Sequence, residues 1–557
     1  MSRRSGLYAL TWLAVATLAG CGGGSSNSTA SASTASALSC SDVTTAKLNL
    51  SGLVVTASVA NAASGATGSA ASYPAHCQVT GTINQRTGID GKPYAIGFDI
   101  RLPASGWNGK FFYSGDAGID GGFNDPLGST AVGGTTNALT LGYAVASSDG
   151  GHSSGGLDGS FGLDPQARVD YGYNALGTLT PLAKNIVSQY YGTPATRSYY
   201  AGCSKGGQSG MVAAARFADQ FDGIIAGDPG FNLPKAAIEE LYDDQQFATV
   251  NPNIAQAFSP ADLALVSSSI LAKCDALDGA VDGIVSNVAA CQAAFNFTTD
   301  VPQCASGATP DGTCLSAVQK TALANIYAGA HGTSGDLLYS DWPWDPGLVG
   351  SGWTAWKTFL NAQIAPVAMG NVFATPPAPV IAAFSPATTA YWQAFDVNQG
   401  FQLIYGTNAT FTESAMSFMT PPNPNHLTML KAKSKLIVYH GTGDPVFSSN
   451  DTTNWYNNLQ AADTAAASYA RLFLVPGMNH CGGGPATDNF DMLSALVSWV
   501  EQGTAPDTVK ATVAAGNADK PASWSATRSR PLCAYPKKAV LVSGATDLES
   551  ASSFSCQ

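Results

Sequence analysis

The 557-residue sequence predicts an α/β fold: a mostly parallel sheet interrupted by a large insertion. Three observations carry this prediction. Short apolar runs of strand character alternate with helical patterning in the first 230 residues. A Gly-x-Ser-x-Gly string joins one such run to a helix. Two more strand-like runs return only after an interval of about two hundred residues.

The elements follow in chain order. Residues 95–102, alternating in their second half, 110–113 and 143–146 read as strands, and helical patterning covers 173–191. Residues 198–201 (Ser-Tyr-Tyr-Ala) form the next strand and 211–215 (Met-Val-Ala-Ala-Ala) a helix, with Gly202-Cys203-Ser204-Lys205-Gly206-Gly207 between them. Residues 223–227, 436–440 and 472–475 complete the strand set.

The glycine-flanked serine reads as a nucleophile elbow. The pattern sets Ser204 on a sharp turn, and the glycines leave room for strained backbone and close helix packing. Nearby N–H groups lie at the positive end of the following helix, where they can stabilise an oxyanion. Such a serine needs an acid and then a histidine later in the chain. His76 and His152 precede it; His480 lies in a glycine-rich loop directly after the run 472–475. Asp444 turns off the end of the run 436–440, where α/β sheets place functional groups. Ser204, Asp444 and His480 are the expected triad of a serine hydrolase with the α/β-hydrolase fold. His440 reads as a strand-end histidine and His152 as a loop residue.

The interval before residue 436 reads as a lid inserted after the elbow. Five of the ten tryptophans, Trp342, Trp344, Trp353, Trp356 and Trp392, fall in it, most as lid core and a few to face the triad and stack on an aromatic substrate. Residues 274–284 bring Asp275, Asp278 and Asp282 together with turn glycines. Hard oxygen donors suit calcium, though the spacing is not that of an EF-hand loop, and an acidic surface turn is the alternative.

At the N-terminus, Arg3 and Arg4 precede an apolar stretch, 7–18, too short for a comfortable membrane span. It ends in Leu18-Ala19-Gly20-Cys21, which resembles a bacterial lipobox and makes Cys21 the expected lipidation site, followed by a flexible tether. Twin-arginine export and plain signal-peptidase cleavage are alternatives. The protein is expected to be exported, either to the bacterial cell envelope as an outer-membrane lipoprotein or as a secreted enzyme. Without Cys21, ten of the 11 cysteines remain, an even set of the kind exported chains pair. Cys203 precedes the nucleophile and Cys481 follows the histidine, so a Cys203–Cys481 bridge follows if Ser204 and His480 meet. A reactive Cys203 is the alternative.

Composition sets the remaining bounds. About 520 residues beyond the tether are too many for one core. With 26 basic against 38 acidic residues and a net charge of −12, the chain lacks the basic excess of a nucleic-acid binder. The expected division is 1–21 leader, 22–38 tether, 39–230 first part of the core, 231–425 lid with the calcium site, and 426–557 second part of the core. No obligate protein partner is evident, and membrane contact is expected only through the lipid anchor.

Together these residues resemble the tannase and feruloyl esterase family, and within it the lid-bearing bacterial mono(2-hydroxyethyl) terephthalate hydrolases, over nearly the whole mature chain. The strings that carry the resemblance are 86–91 (Arg-Thr-Gly-Ile-Asp-Gly), 161–168 (Phe-Gly-Leu-Asp-Pro-Gln-Ala-Arg), the elbow, 274–279 (Cys-Asp-Ala-Leu-Asp-Gly), 374–377 (Ala-Thr-Pro-Pro) and 472–481 (Leu-Phe-Leu-Val-Pro-Gly-Met-Asn-His-Cys). The resemblance supports the triad and the Cys203–Cys481 bridge. It implies further bridges Cys40–Cys77, Cys274–Cys291, Cys304–Cys314 and Cys533–Cys556. It also implies a structural Ca2+ held by the side chains of Asp275, Asp278 and Asp282 and the carbonyls of Ala280 and Ile284, and an oxyanion hole from the N–H groups of Gly118 and Lys205.

One departure bears on substrate. The half-ester hydrolases clamp a substrate carboxylate with an arginine in the lid segment after the Ala-Thr-Pro-Pro string, yet no arginine lies between Arg216 and Arg471 here. Thr388 stands near that place and cannot make a bidentate charged pair, while Tyr391 and Trp392 remain to stack on an aromatic acyl group. The expected activity is a serine carboxylesterase acting on small esters of aromatic acids through an acyl-enzyme, with no redox cofactor. Alternatives are a mono(2-hydroxyethyl) terephthalate hydrolase, a serine peptidase, and a non-catalytic calcium-dependent surface binding protein.

Overall fold

Nine strands make the central sheet: β1 (Leu53–Asn61), β2 (His76–Thr87), β3 (Pro93–Pro103), β4 (Lys110–Ser114), β5 (Ala144–Ser148), β6 (Arg197–Cys203), β7 (Gly223–Gly227), β8 (Lys435–Gly441) and β9 (Ala470–Val475). The computed structural model describes residues 37–65, 71–129 and 136–557; Cys21, the leader and the tether up to residue 36 lie outside them. Across the sheet the order is β1-β2-β3-β5-β4-β6-β7-β8-β9. The first three strands are antiparallel and β5 runs antiparallel to β3, whereas β5, β4 and β6 to β9 are mutually parallel. The C-terminal ends of β4 and β6 to β9 therefore share one edge, and functional loops collect there.

The parallel strands are short and apolar because helices and loops cover both faces. All five residues of β7 are buried. The helices α1 (Ala175–Tyr191) and α2 (Lys205–Arg216) supply Leu179, Ile186, Met211 and Ala214 to the core on one face. Met492, Leu493, Leu496 and Trp499 fill the core on the other. Between β7 and β8 the chain runs through helices, beginning with α3 (Leu233–Val250) and α4 (Pro260–Cys274). These build a separate apolar core around Ile238, Leu241, Phe247, Trp342, Trp353 and Trp392.

Lid and sheet are tied by a buried arginine. Arg168, 1% exposed, donates from Nε to the Gly162 carbonyl at 2.5 Å and from its terminal nitrogens to the carbonyls of Ala374 (3.1 Å) and Asn371 (2.9 Å). The strings 161–168 and 374–377 are thus two sides of one contact. Beyond β9, strands β10 (Asn489–Phe490), β11 (Thr508–Thr512) and β12 (Ser529–Cys533) form a small sheet, and β13 (Ala539–Leu541) pairs with β14 (Phe554–Cys556). The buried Cys533, Ala539 and Phe554 pack on Ala280 of the acidic loop. All five expected disulfides, Cys40–Cys77, Cys203–Cys481, Cys274–Cys291, Cys304–Cys314 and Cys533–Cys556, are formed. Among the described residues no helix is long and apolar enough to cross a membrane.

Candidate active site

Ser204 stands between β6 and α2 at φ +65°, ψ −124°, a conformation a non-glycine residue adopts only under constraint. Its N–H donates to the Gly227 carbonyl at 3.0 Å, and the Tyr200 hydroxyl donates to the Gly206 carbonyl at 2.7 Å, which pins the turn from below. Glycine is required at 206 because a Cβ there would sit 2.7 Å from the Asp116 carbonyl.

The three expected triad residues are brought together. His480 Nε2 lies 2.8 Å from Ser204 Oγ, and His480 Nδ1 donates to Asp444 Oδ2 at 2.9 Å. The other oxygen of Asp444 accepts the N–H groups of Val446 (2.7 Å) and Phe447 (3.2 Å). Burial alone would raise the Asp444 carboxyl, but the charge and hydrogen bonds of His480 and His440 hold it well below the usual carboxylate range. Burial likewise disfavours the charged form of His480, and the Asp444 carboxylate outweighs it, so the imidazole sits above its ordinary value. His440 is satisfied at its strand end, with Nδ1 2.8 Å from Thr452 Oγ1 and Nε2 donating to the Phe447 carbonyl at 3.0 Å.

Gly118 follows β4 at φ +56° and faces the same cleft as Ser204. Tyr171 donates to its carbonyl at 3.0 Å, and His152, stacked on Phe161, donates to the next carbonyl, Ile119, at 3.0 Å. His152 is therefore buried support for this loop. Among the described residues nothing accepts from the N–H of Gly118 or of Lys205, so both remain available to an oxyanion. The Lys205 side chain points elsewhere. It is 2% exposed, with Nζ 3.0 Å from Ser209 Oγ and 3.5 Å from Asp116 Oδ2, behind the loop. Lys357 is likewise spent in a buried ion pair with Asp243.

The cleft at Ser204 has a volume of about 500 Å³. Gly118, Asn124 and Asp125 line one side, Tyr439 and Phe490 another, and Trp356 of the lid reaches over it. The Trp356 ring lies 5.1 Å from the imidazole of His480 at a near-perpendicular angle. Here the expectation for Thr388, Tyr391 and Trp392 is corrected, since none of them lines this cleft. The helix Pro386–Ala394 turns Thr388 and Trp392 into the lid core, at 0% and 3% exposure. The Thr388 hydroxyl is held by the Ser385 carbonyl at 2.8 Å and Gln363 Oε1 at 3.1 Å, and Tyr391 packs on Phe395.

One buried group of the site was missed in the sequence. Asp228, directly after β7, accepts the N–H of Cys481 and of Gly441, each at 2.7 Å. The available signal was an acid at the C-terminal end of a recognised strand.

In the acidic loop, Asp275 accepts the N–H groups of Asp282 (3.1 Å) and Gly283 (3.0 Å), and Asp278 those of Ala280 and Ser286, both at 3.1 Å. Asp282 accepts from Ile284 at 3.0 Å and pairs with the Arg530 guanidinium. Burial, with the charge of Asp282 added, pushes the Asp278 carboxyl up to about 6. Among the described residues, the groups that gather three side-chain donor atoms within 4.8 Å are Cys203-Asp228-Cys481 and Asp228-Asp444-His480; the loop aspartates are not so closely drawn together. Ala280 and Ile284 are buried, and among the described residues nothing donates to their carbonyls. The donor set, three carboxylates and two unspent carbonyls, fits a hard cation in its chemistry.

A mostly parallel sheet with a serine elbow and a Ser–His–Asp chain along the C-terminal edge of its parallel strands defines an α/β-hydrolase. Residues 77–557 match the family described as tannase and feruloyl esterase, and the chain belongs to that family. It is 41% identical over 540 residues to the mono(2-hydroxyethyl) terephthalate hydrolase of Piscinibacter sakaiensis, covering 88% of this chain and 86% of that one. Among solved structures, the fold is that of feruloyl esterase B from Aspergillus oryzae (TM-score 0.73, 22% identity, 93% of this chain and 99% of that one). Tannin acyl hydrolase from Aspergillus niger shares it (TM-score 0.67, 22% identity, 91% and 92%). The protein is a carboxylic ester hydrolase, which sets aside the peptidase and the non-catalytic binding protein.

Proposed function

We propose that this esterase hydrolyses esters of aromatic acids through an acyl-enzyme on Ser204. The observation that carries the reading is the unbroken hydrogen-bond chain from Ser204 Oγ through His480 to Asp444, opening onto a cleft with two unspent N–H groups. His480 takes the Ser204 proton as Oγ attacks the ester carbonyl, and Asp444 orients and stabilises the imidazolium. Gly118 and Lys205 N–H groups hold the tetrahedral oxyanion. The alcohol leaves with the proton from His480, and water repeats the attack to release the acid. Ser204→Ala removes the nucleophile and keeps the backbone, so turnover should fall on the order of a thousandfold or more with the fold intact. Substantial turnover in that variant, or no labelling of Ser204 by a fluorophosphonate, overturns the assignment.

The names of the relatives point to aromatic acyl groups, terephthalate and feruloyl. Trp356 offers a ring beside the histidine for such a group. Among the described residues no arginine or lysine lines the cleft, and Asp125 places a carboxylate there. Uncharged aromatic esters such as ferulates and other hydroxycinnamates are therefore the preferred class, because an anionic half-ester would bury its carboxylate without a partner. The second reading, mono(2-hydroxyethyl) terephthalate hydrolase, is favoured by the 41% identity to such an enzyme. Comparing kcat/KM for methyl ferulate and the half-ester decides between them, and a clear advantage for the half-ester sinks the preference.

Calcium belongs to the same proposal as a structural ion held by Asp275, Asp278 and Asp282 with the carbonyls of Ala280 and Ile284, away from the reacting atoms. Export, with lipidation at Cys21, is also proposed; palmitate labelling that persists in Cys21→Ser rejects the anchor.

A further inference from the structure

Asp228 lies at the meeting point of three strand ends. It follows β7, is 0% exposed, and holds φ +37°, a left-handed value that L residues other than asparagine and aspartate rarely take. Its N–H donates to the Tyr439 carbonyl of β8 at 2.8 Å. Its carboxylate bridges two loops: Oδ1 accepts from Gly441, the last residue of the strand that precedes Asp444, and Oδ2 accepts from Cys481, the residue after His480. An oxygen of Asp228, an oxygen of Asp444 and a ring nitrogen of His480 all lie within 4.8 Å of one another. Cys203 Sγ is 3.5 Å from Oδ2, but in a disulfide it has no proton to donate, so that contact is packing.

We propose that Asp228 is a positioning residue of the esterase site. It holds the His480 loop against the end of β8 and, beside Asp444, balances the charge that His480 gains on taking the Ser204 proton. The inference rests on the triad reading. Two N–H groups alone do not require a charge, because a neutral amide or carbonyl oxygen can accept them. A carboxylate buried here is costly unless a cation answers it. The charged groups that face Asp228 are Asp444, His440 and His480, and those that face His480 are Asp444, Asp228 and His440. The imidazolium is thus the cation that the two carboxylates share. Burial and the neighbouring Asp444 push the Asp228 carboxyl up, and His440, His480 and the Gly441 N–H oppose that rise.

The test is the pH dependence of kcat and KM for Asp228→Asn and Asp228→Glu, with thermal melts. Asp228→Asn removes a charge that favours protonated His480. The acid limb of kcat/KM should move to lower pH, and kcat should fall by up to about a hundredfold with KM nearly unchanged. Asp228→Glu keeps the charge and displaces it, so kcat falls while the limb stays at the wild-type pH. Wild-type kcat in Asp228→Asn overturns the proposal, as does a lowered kcat with an unmoved limb, the mark of a purely structural residue. If Asp228→Asn does not fold, Asp228→Ser, which also removes the charge and keeps an acceptor, takes its place: a limb moved to lower pH is expected, and an unmoved limb overturns the proposal. Ser204→Ala run in parallel separates the two readings: an inert Ser204→Ala beside an unaffected Asp228→Asn removes only the role of Asp228, whereas an active Ser204→Ala removes the triad.

Discussion

Cys203 and Cys481 are bonded with their Cα atoms 6.1 Å apart, and each is the chain neighbour of a triad side chain. They are 278 residues apart in sequence, so the bridge ties the nucleophile strand to the histidine loop across the whole lid insertion. Replacing both by alanine should lower stability by roughly 2–5 kcal/mol, the usual effect of losing a native bridge. Turnover should fall with it, because the serine–histidine register loses its covalent restraint. Calorimetry and kcat on the double variant check this; an unchanged melting temperature with both thiols found free in wild type rejects it.

Asp444→Asn separates geometry from charge. The amide keeps the shape of the acid but cannot hold the imidazole in the tautomer that accepts the serine proton, and kcat should drop by about 10³–10⁴. The stability sign is also set. The Asp444 carboxyl is held below its ordinary value in the folded state, so its contribution is fully present above about pH 4 and is lost as pH falls through the lower folded value. The variant should be less stable than wild type at pH 7, and the gap should close in acid. Denaturant midpoints across pH 2–7 measure it, and a gap that stays constant with pH counts against the charged pairing.

The parallel strands were legible because each is a short, continuous apolar run, buried on both faces, and the triad because acid and histidine must terminate two such runs after the serine. The outer antiparallel strands β1 and β2 were not. Five of the nine residues of β1 are polar or small, and Val54 and Val59 are exposed, so no run announces the strand. Position along a motif also failed to say which way a helix faces. Thr388 and Trp392, four residues apart, share the buried side of their helix, while Trp356, equally visible among the lid tryptophans, turns toward His480.

Calcium should act on the fold. Ala280 packs with Cys533, Ala539 and Phe554, and Arg530 pairs with Asp282, so chelation leaves Asp275 and Asp278 partly buried beside the charge of Asp282 in a loop that packs against the C-terminal strands. At a hundredfold excess over its dissociation constant a bound ion adds about 2.7 kcal/mol. EGTA or Asp278→Ala should therefore lower the melting temperature and leave the acylation rate of the remaining folded enzyme near wild type. A calcium-free protein of unchanged stability, with no calcium by elemental analysis, removes the site.

Among the described residues Trp356 is the lid side chain that lines the cleft, and its ring sits beside the imidazole that must move a proton. An aromatic acyl group bound at Ser204 can stack on or pack against that ring, and such pairs contribute about 0.5–1.5 kcal/mol beyond area burial. Trp356→Ala should raise KM for an ester of an aromatic acid by roughly twofold to tenfold and leave an ester with a small aliphatic acyl group, such as p-nitrophenyl acetate, much less affected. Phe447, whose ring lies 5.4 Å from the same imidazole, remains in the variant and keeps His480 packed on its other flank, so the acid limb of the pH profile should not shift. Steady-state kinetics on methyl ferulate and on the acetate ester check the split. Equal losses on both substrates would assign Trp356 to the histidine and not to the acyl group.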